Sequence, residues 1–384
     1  MSAKPDLLYE ADVPVEESSA GSIFLHRLIG ACEPSRWRIV ETNLGPARGA
    51  TRLNGPVWLR RRRRGLRFLA WRGGWMWAVF LAYRSWFMPP RFLGPKPHAV
   101  YTVAHGLSWI GVVARAKREG VRCVVHCHDH PASGLSSFPY GPRVWRAISG
   151  LARRALASAD VCLAVCPTGE EWLREFAAAR TGIAYSVWKD DAPLPMRGHP
   201  GTRVLGYAGS IADAGYRRGL IAASHAAAAA GWRMVVFPST PVDAELRASV
   251  APVVDWHTTV PAAELPRMLA DVADAALITT DFNPERRDWV RVACPAKLAD
   301  YAYAGLPVIA VVPPWSSLAR VAADHPDLLS VVPTQEAHAL QSALAKHNLR
   351  DTAADAASRQ TAHNVLGLAH NTKILRAALG LKSS

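Results

Sequence analysis

Short apolar runs alternate with longer segments of helical periodicity through most of the chain, a pattern that predicts repeated strand and helix units. Leu7–Tyr9, Trp37–Val40, His98–Val103, Arg122–Cys127 and Ala159–Cys166 read as one set of strands. Arg203–Ser210, Trp232–Pro238, Asp274–Ile278 and Val308–Val312 read as a second. Most are apolar nearly throughout rather than alternating, as expected of parallel strands covered on both faces. Helices are expected from Gly21 toward Ile29, over Ser108–Arg118, around Ser224–Ala230 and over Pro295–Ala304. Between the two sets, residues 190–201 are rich in proline and glycine and have no periodicity, so they read as a linker. The expected fold class is therefore α/β with two Rossmann-like domains, 1–195 and 196–384, the last helix crossing back to the first domain.

In open parallel sheets, ligands gather beyond the carboxyl ends of the strands. That rule places His105, after the His98 strand, and the group from His128 and Asp129 to His130, after the Arg122 strand, at the expected rim; Gly21 follows the first strand in a glycine loop. In the second set the Arg203 strand ends in a glycine turn at Gly209-Ser210, and Arg217 and Arg218 follow. The stretch Cys294–Ala310, CPAKLADYAYAGLPVIA, joins a helix start, a turn and a strand. Pro295 suits the first helical position, and Gly305 the left-handed residue that ends the helix. The helix start offers amide hydrogens to an anion, Lys297 adds a full charge, and Asp300 is placed to accept from hydroxyls. The alternative is an ordinary helix and strand with a surface lysine and a solvated aspartate.

Charge narrows the class of ligand. Lys and Arg total 45 against 31 Asp and Glu, a net +14, so an acidic partner is expected: phosphorylated ligand, anionic lipid or nucleic acid. Five successive arginines, Arg60, Arg61, Arg62, Arg63 and Arg64, precede Trp71 and Trp75. Arg72 and Arg84 interrupt the apolar run, which falls short of the about 20 residues that span a bilayer. The segment fits an anionic membrane surface, or else a core-facing helix with a solvated arginine face. No nucleic-acid-binding motif accompanies it, and no nucleic acid partner is expected. The first residues lack an apolar core of signal-peptide length, so a cytoplasmic location, peripheral at the inner face of the membrane, is expected. The six cysteines form no CxxC pair and read as buried reduced thiols. Strand alternation separates Cys123 and Cys127 from a shared zinc site with the neighbouring histidines.

Asp300 to Ala310, DYAYAGLPVIA, resembles the donor-binding signature of GT-B glycosyltransferases, especially the retaining glycosyltransferase family 4. The resemblance departs from the family where an earlier acid is usual and Val292 stands here. VVHCHDHP resembles the family's His-Asp element, which implies catalytic roles for His128 and Asp129. It further implies donor binding by Gly209, Ser210, Arg218, Pro295, Lys297, Leu298 and Asp300, and places Gly21 and His105 on the acceptor side of a cleft between two parallel-sheet domains. The expected activity is hexosyl-type transfer from a nucleotide-diphosphate sugar to an acceptor glycan or lipid-linked sugar, in cell-surface polysaccharide or glycoconjugate synthesis. No cofactor and no metal are expected. The alternatives are a nucleotide-sugar epimerase of the same fold and a non-catalytic protein docking to membrane or nucleic acid.

Overall fold

The structure, a computed structural model, describes residues 6–16, 20–41, 53, 56–60, 74–132, 135, 141–176, 180–188, 194, 201–346 and 352–382. The chain divides into two compact units. One comprises Met1–Tyr185, Val292–Cys294 and Leu368–Ser384; the other comprises Ser186–Arg291 and Pro295–Gly367. The division after Tyr185 comes ten residues before the position expected from the sequence, and the helix Leu368–Ala378 belongs to the first unit.

The first unit is built on a parallel sheet of β1 (Leu7–Tyr9), β2 (Trp37–Glu41), β3 (Val57–Arg60), β4 (Ala99–Val103), β5 (Arg122–Cys127), β6 (Val161–Ala164) and β7 (Thr181–Ile183). Their order is β3-β2-β1-β4-β5-β6-β7. The second holds β8 (Val204–Gly209), β9 (Arg233–Pro238), β10 (Val254–Trp256), β11 (Ala275–Thr279), β12 (Val308–Val311) and β13 (Ser330–Val332), ordered β10-β9-β8-β11-β12-β13. In both sheets the order reverses beside the first strand, between β1 and β4 and between β8 and β11. The crevice of a doubly wound sheet lies at that reversal.

The central strands are buried on both faces, as their apolar composition predicts, while the edge strands β7 and β10 are only partly buried. β1, β4, β11 and β12 are buried along their whole length. The two sheets also share a device legible as Ala-Asp. Asp160 donates its N–H to Cys123 O (2.9 Å) and accepts from Cys123 N through its carboxylate (2.8 Å). Asp274 does the same with Val204 O (2.8 Å) and Val204 N (2.8 Å). Each acid thereby satisfies an amide at the start of a neighbouring strand, the second residue of β5 and the first of β8.

A buried ion pair joins β1 to the helix behind it. Arg115, on the helix Ser108–Glu119, donates to Glu10 Oε2 at 2.5 Å, and both side chains are shut from solvent. Arg115 also lies 4.1 Å over the Phe92 ring and donates to Pro90 O (3.2 Å), so its charge is answered on several sides.

Of the arginine and tryptophan stretch, Arg61, Arg62, Arg63, Arg64 and Trp71 lie outside the described residues. The backbone of Arg60 ends β3, a strand the apolar pattern alone did not single out. Trp75 lies on the helix Gly74–Phe87, whose Ala78, Leu81 and Ala82 are buried. No helix among the described residues is long and apolar enough to cross a membrane.

Candidate functional site

In the second unit the site begins with a positive-φ residue. β8 ends at Gly209, whose φ of +124° lies in the region that L side chains avoid. A Cβ there would stand 3.2 Å from Lys297 Nζ and 3.4 Å from its Cε. Glycine is therefore required twice, for the turn and for the close approach of the lysine. Gly209→Ala is expected to lose about 1 to 3 kcal/mol of stability and to displace Lys297. A lowered denaturant midpoint together with weakened nucleotide binding would check it.

Lys297 reaches this position because of what lies one turn further along its helix. Residues i and i+4 share a helix face, and the fully buried Tyr301 accepts from Ala208 N (2.8 Å) and donates to Ala208 O (3.2 Å). That reciprocal pair pins the helix Lys297–Tyr303 to the end of β8 and sets Lys297 against Gly209. The helix closes as expected: Gly305 has φ +72°, with Leu306 N donating to Tyr301 O (3.1 Å) and Gly305 N to Ala302 O (3.1 Å).

Its start differs from the expectation. The α-helix begins at Lys297 rather than Pro295, and ends at Tyr303. Pro295 and Ala296 instead form tight turns whose carbonyls accept from Leu298 N and Ala299 N, each at 3.1 Å. Two amides expected to face an anion are thus used by the chain itself, while those of Ala296 and Lys297 have no acceptor among the described residues. No side chain caps this end. Leu298 is buried in the core, so neither its side chain nor its amide is available to a ligand. Asp300 lies half-buried in the helix's first turn.

The Lys297 ammonium has no carboxylate partner among the described residues. It lies 4.4 Å over the Tyr207 ring and 5.6 Å over that of Tyr216, with Tyr207 Oη at 3.4 Å. Desolvation lowers its pKa to about 8. Aromatic faces attract a cation but do not neutralise it.

Arg218, the other expected phosphate contact, is placed differently. It donates to Asp281 Oδ1 at 3.2 Å, and Asp281 also receives Arg286 Nη1 at 3.2 Å. Arg286 pairs in turn with Asp213, and Arg217 with Asp243. The Arg218 side chain is 55% exposed, but its charge is already answered by a buried acid. Ser210 contributes its carbonyl to Tyr207 Oη (2.7 Å).

In the first unit, β5 delivers His126 inward and His128 to its end. Tyr101 Oη and His126 Nδ1 are 2.6 Å apart, and burial lowers the His126 pKa to about 3. The His126 and His128 rings meet edge-on at 4.6 Å, and Phe24 packs against His128 at 4.8 Å. Burial holds the His128 pKa well below the usual histidine range, with His126 and His105 adding to the effect. Its imidazole is therefore neutral at physiological pH, and its Nε2 is buried without a hydrogen-bond partner. Asp129 moves the other way: burial raises its carboxyl pKa, and His105 partly offsets this. A neutral imidazole beside a carboxyl of raised pKa suits hydrogen bonding to a sugar and proton transfer.

Gly21 lies here too, although not in a loop. It is within the first turn of the helix Ala20–Ala31, and a Cβ on it would stand 3.6 Å from His128 Nδ1. The helix starts earlier than the glycine suggested because Ala20 already has helical backbone. Asp12, which the sequence reading missed, accepts from Ser108 N (3.1 Å) and Leu107 N (3.3 Å). It thus caps the helix that follows His105 and closes the loop beside the site. Tyr207, Tyr216 and Tyr301 were missed as well; the only sequence signal was their spacing from Gly209 and Lys297.

Val292, in the position of the family's earlier acid, is buried in the first unit's apolar core, where its carbonyl accepts from Cys166 Sγ at 3.3 Å. None of the described cysteines forms a disulfide, and among the described residues no cluster of three or more His, Cys, Asp or Glu side chains is arranged to hold a metal.

Residues 38–185 match the family Glycosyltransferase Family 4. A comparison with curated protein sequences gives no match. Among solved structures, HepE of Anabaena, crystallised with UDP and glucose, matches 98% of this chain and 99% of its own at 12% identity and a TM-score of 0.64. Sucrose-phosphate synthase from Thermosynechococcus elongatus matches 97% of this chain and 98% of its own at 15% identity, also with a TM-score of 0.64. The lipopolysaccharide outer core galactosyltransferase WaaB matches 97% and 99% at 13% identity and a TM-score of 0.60. At these identities the structures establish the fold alone: the chain has the two-sheet GT-B fold, and over residues 38–185 it resembles Glycosyltransferase Family 4.

Proposed function

We propose that this protein is a glycosyltransferase that moves a sugar from a nucleoside-diphosphate sugar to an acceptor glycan or lipid-linked sugar, with retention at the anomeric carbon and without a metal, in cell-surface polysaccharide or glycoconjugate synthesis. The observation that carries the donor assignment is Lys297, a desolvated ammonium between two tyrosine rings, against Gly209, with no carboxylate partner among the described residues. An anion in that place restores what the lysine loses by burial. A departing diphosphate is such an anion, and its charge grows as the bond from the sugar's anomeric carbon to the phosphate oxygen breaks. Gly209, Ser210, Pro295 and Asp300 surround this position in sequence, and Arg218 adds a second, already paired cation. In the first unit His128 hydrogen-bonds the transferred sugar as a neutral imidazole, and Asp129 takes part in proton transfer. Gly21 and His105 line the acceptor side.

A titration with uridine, guanosine, adenosine, cytidine and thymidine diphosphates tests the reading. Uridine comes first because HepE was solved with UDP and with UDP-glucose. Clear binding of one base supports the proposal, and absence of binding to all of them overturns it. Product analysis then separates transfer from epimerisation, since only transfer consumes an acceptor.

Lys297 also sets a pH dependence. Its lowered pKa means that the ammonium is full below about 8 and is lost above it. Diphosphate affinity is therefore expected to be highest below that value and to fall about tenfold from pH 7 to pH 9, following the protonated fraction. The profile should flatten in Lys297→Arg, which stays charged throughout. A wild-type profile flat across this range would remove the lysine from the contact.

A further inference from the structure

The outer face of the helix Gly74–Phe87 is apolar apart from the exposed Arg84. Met76, Phe80, Tyr83 and Phe87 recur at i, i+4, i+7 and i+11, which places them on one stripe. The opposite stripe, Ala78, Leu81 and Ala82, is buried against the first unit's core. The outward stripe remains open: Met76 is 67% exposed, Phe80 49% and Phe87 61%, and Met88, just past the helix, is 70% exposed. Together with Trp75 and Tyr83 these are the exposed large apolar side chains among the described residues. A contiguous patch of this kind marks an interaction surface.

Its rim is basic. Arg84 stands on the same helix, and Arg118 donates to Phe87 O at 2.7 Å. Tyr83 Oη donates to Ala147 O (3.4 Å) on the neighbouring helix Gly141–Ser158, which brings the exposed Arg143 and Arg146 to the other flank. None of the four arginines has a carboxylate partner among the described residues.

We propose that this stripe seats the protein on an anionic lipid bilayer. The methionine and aromatic side chains of the Gly74–Phe87 helix enter the headgroup and acyl boundary, and Arg84, Arg118, Arg143 and Arg146 lie at phosphate level. Apolar burial and charge attraction act together in such interfacial binding. The charge complementarity favours lipid over a second copy of this chain, because two such faces would bring unpaired arginines against one another. Membrane docking is separate from donor binding, since the stripe contains none of the residues assigned to the nucleotide.

The test is co-sedimentation of the full chain with vesicles of phosphatidylcholine alone and of phosphatidylcholine mixed with phosphatidylglycerol. The wild-type chain should bind the mixed vesicles at least about tenfold more tightly than the neutral ones, and lose that preference as salt is raised. The variant Met76→Ser/Phe80→Ser/Phe87→Ser should lose binding to both while its melting temperature and nucleotide titration stay unchanged. Arg143→Glu/Arg146→Glu, which alters only exposed side chains, should lose the anionic preference independently. Equal binding to both vesicle types, no binding, or triple-serine binding equal to wild type would each overturn the proposal. So would a wild-type dimer in solution that ignores vesicles and dissociates in the triple variant, which would assign the stripe to a second copy.

Discussion

Lys297→Ala is expected to weaken nucleoside-diphosphate binding by about 30- to 150-fold, since a charge-assisted hydrogen bond contributes about 2 to 3 kcal/mol. The variant should fold normally or slightly better. The ammonium is desolvated and has no acid beside it among the described residues, so its removal leaves no buried acid unpaired. Calorimetric titration with the base selected by the wild-type protein reads the loss, and a thermal melt separates it from unfolding. Affinity within a factor of about three of wild type would end the phosphate assignment, because a surface cation contributes no more than that.

The second large effect is expected in the first unit. Asp129→Asn should lower turnover by about 10²- to 10⁴-fold, the range for a positioned proton-transfer group, and leave nucleotide affinity nearly as it was. The carboxyl is held above its usual range by burial, so the wild-type rate should vary with pH through that raised value, and the asparagine variant should lose that limb. His128→Ala should also depress turnover, although without removing an ionisation near neutrality, because the imidazole is already neutral there. A rate that persists in Asp129→Asn, with the same pH dependence, would reduce Asp129 to packing. Measuring kcat and KM separately decides between a group acting in transfer and one that only shapes donor binding.

Several of these residues were legible in the sequence because the chain leaves local marks at strand ends. Gly209 was marked by position, at the end of an apolar strand, and the structure supplies the reason in a φ of +124°. His128 and Asp129 were marked in the same way at the end of β5. Other expected residues sit differently from the expectation. Arg218 lies near the predicted place but answers Asp281, a contact across 63 positions of chain that no local pattern reports. Pro295 begins a pair of tight turns, and the α-helix starts only at Lys297. Leu298, carried into the site by resemblance, turned out to be core.

What escaped the sequence reading was long-range. Tyr301 matters because it grips Ala208, 93 residues earlier, and Asp12 because it caps a helix that begins almost a hundred residues later. Hydroxyls and carboxylates at such separations leave no periodicity to read.

The apolar and glycine pattern by itself determined that this chain forms parallel strands flanked by helices, in two sets, with candidate chemistry at their carboxyl ends. Those choices depend on backbone preference and on which faces must leave water, and both are encoded within a few residues. Only the tertiary structure decided which cation stays unanswered, which histidine stays neutral and which face of the Gly74–Phe87 helix remains bare. Charge balance, desolvation and exposure are properties of what surrounds a group, and here the surroundings come from distant parts of the chain.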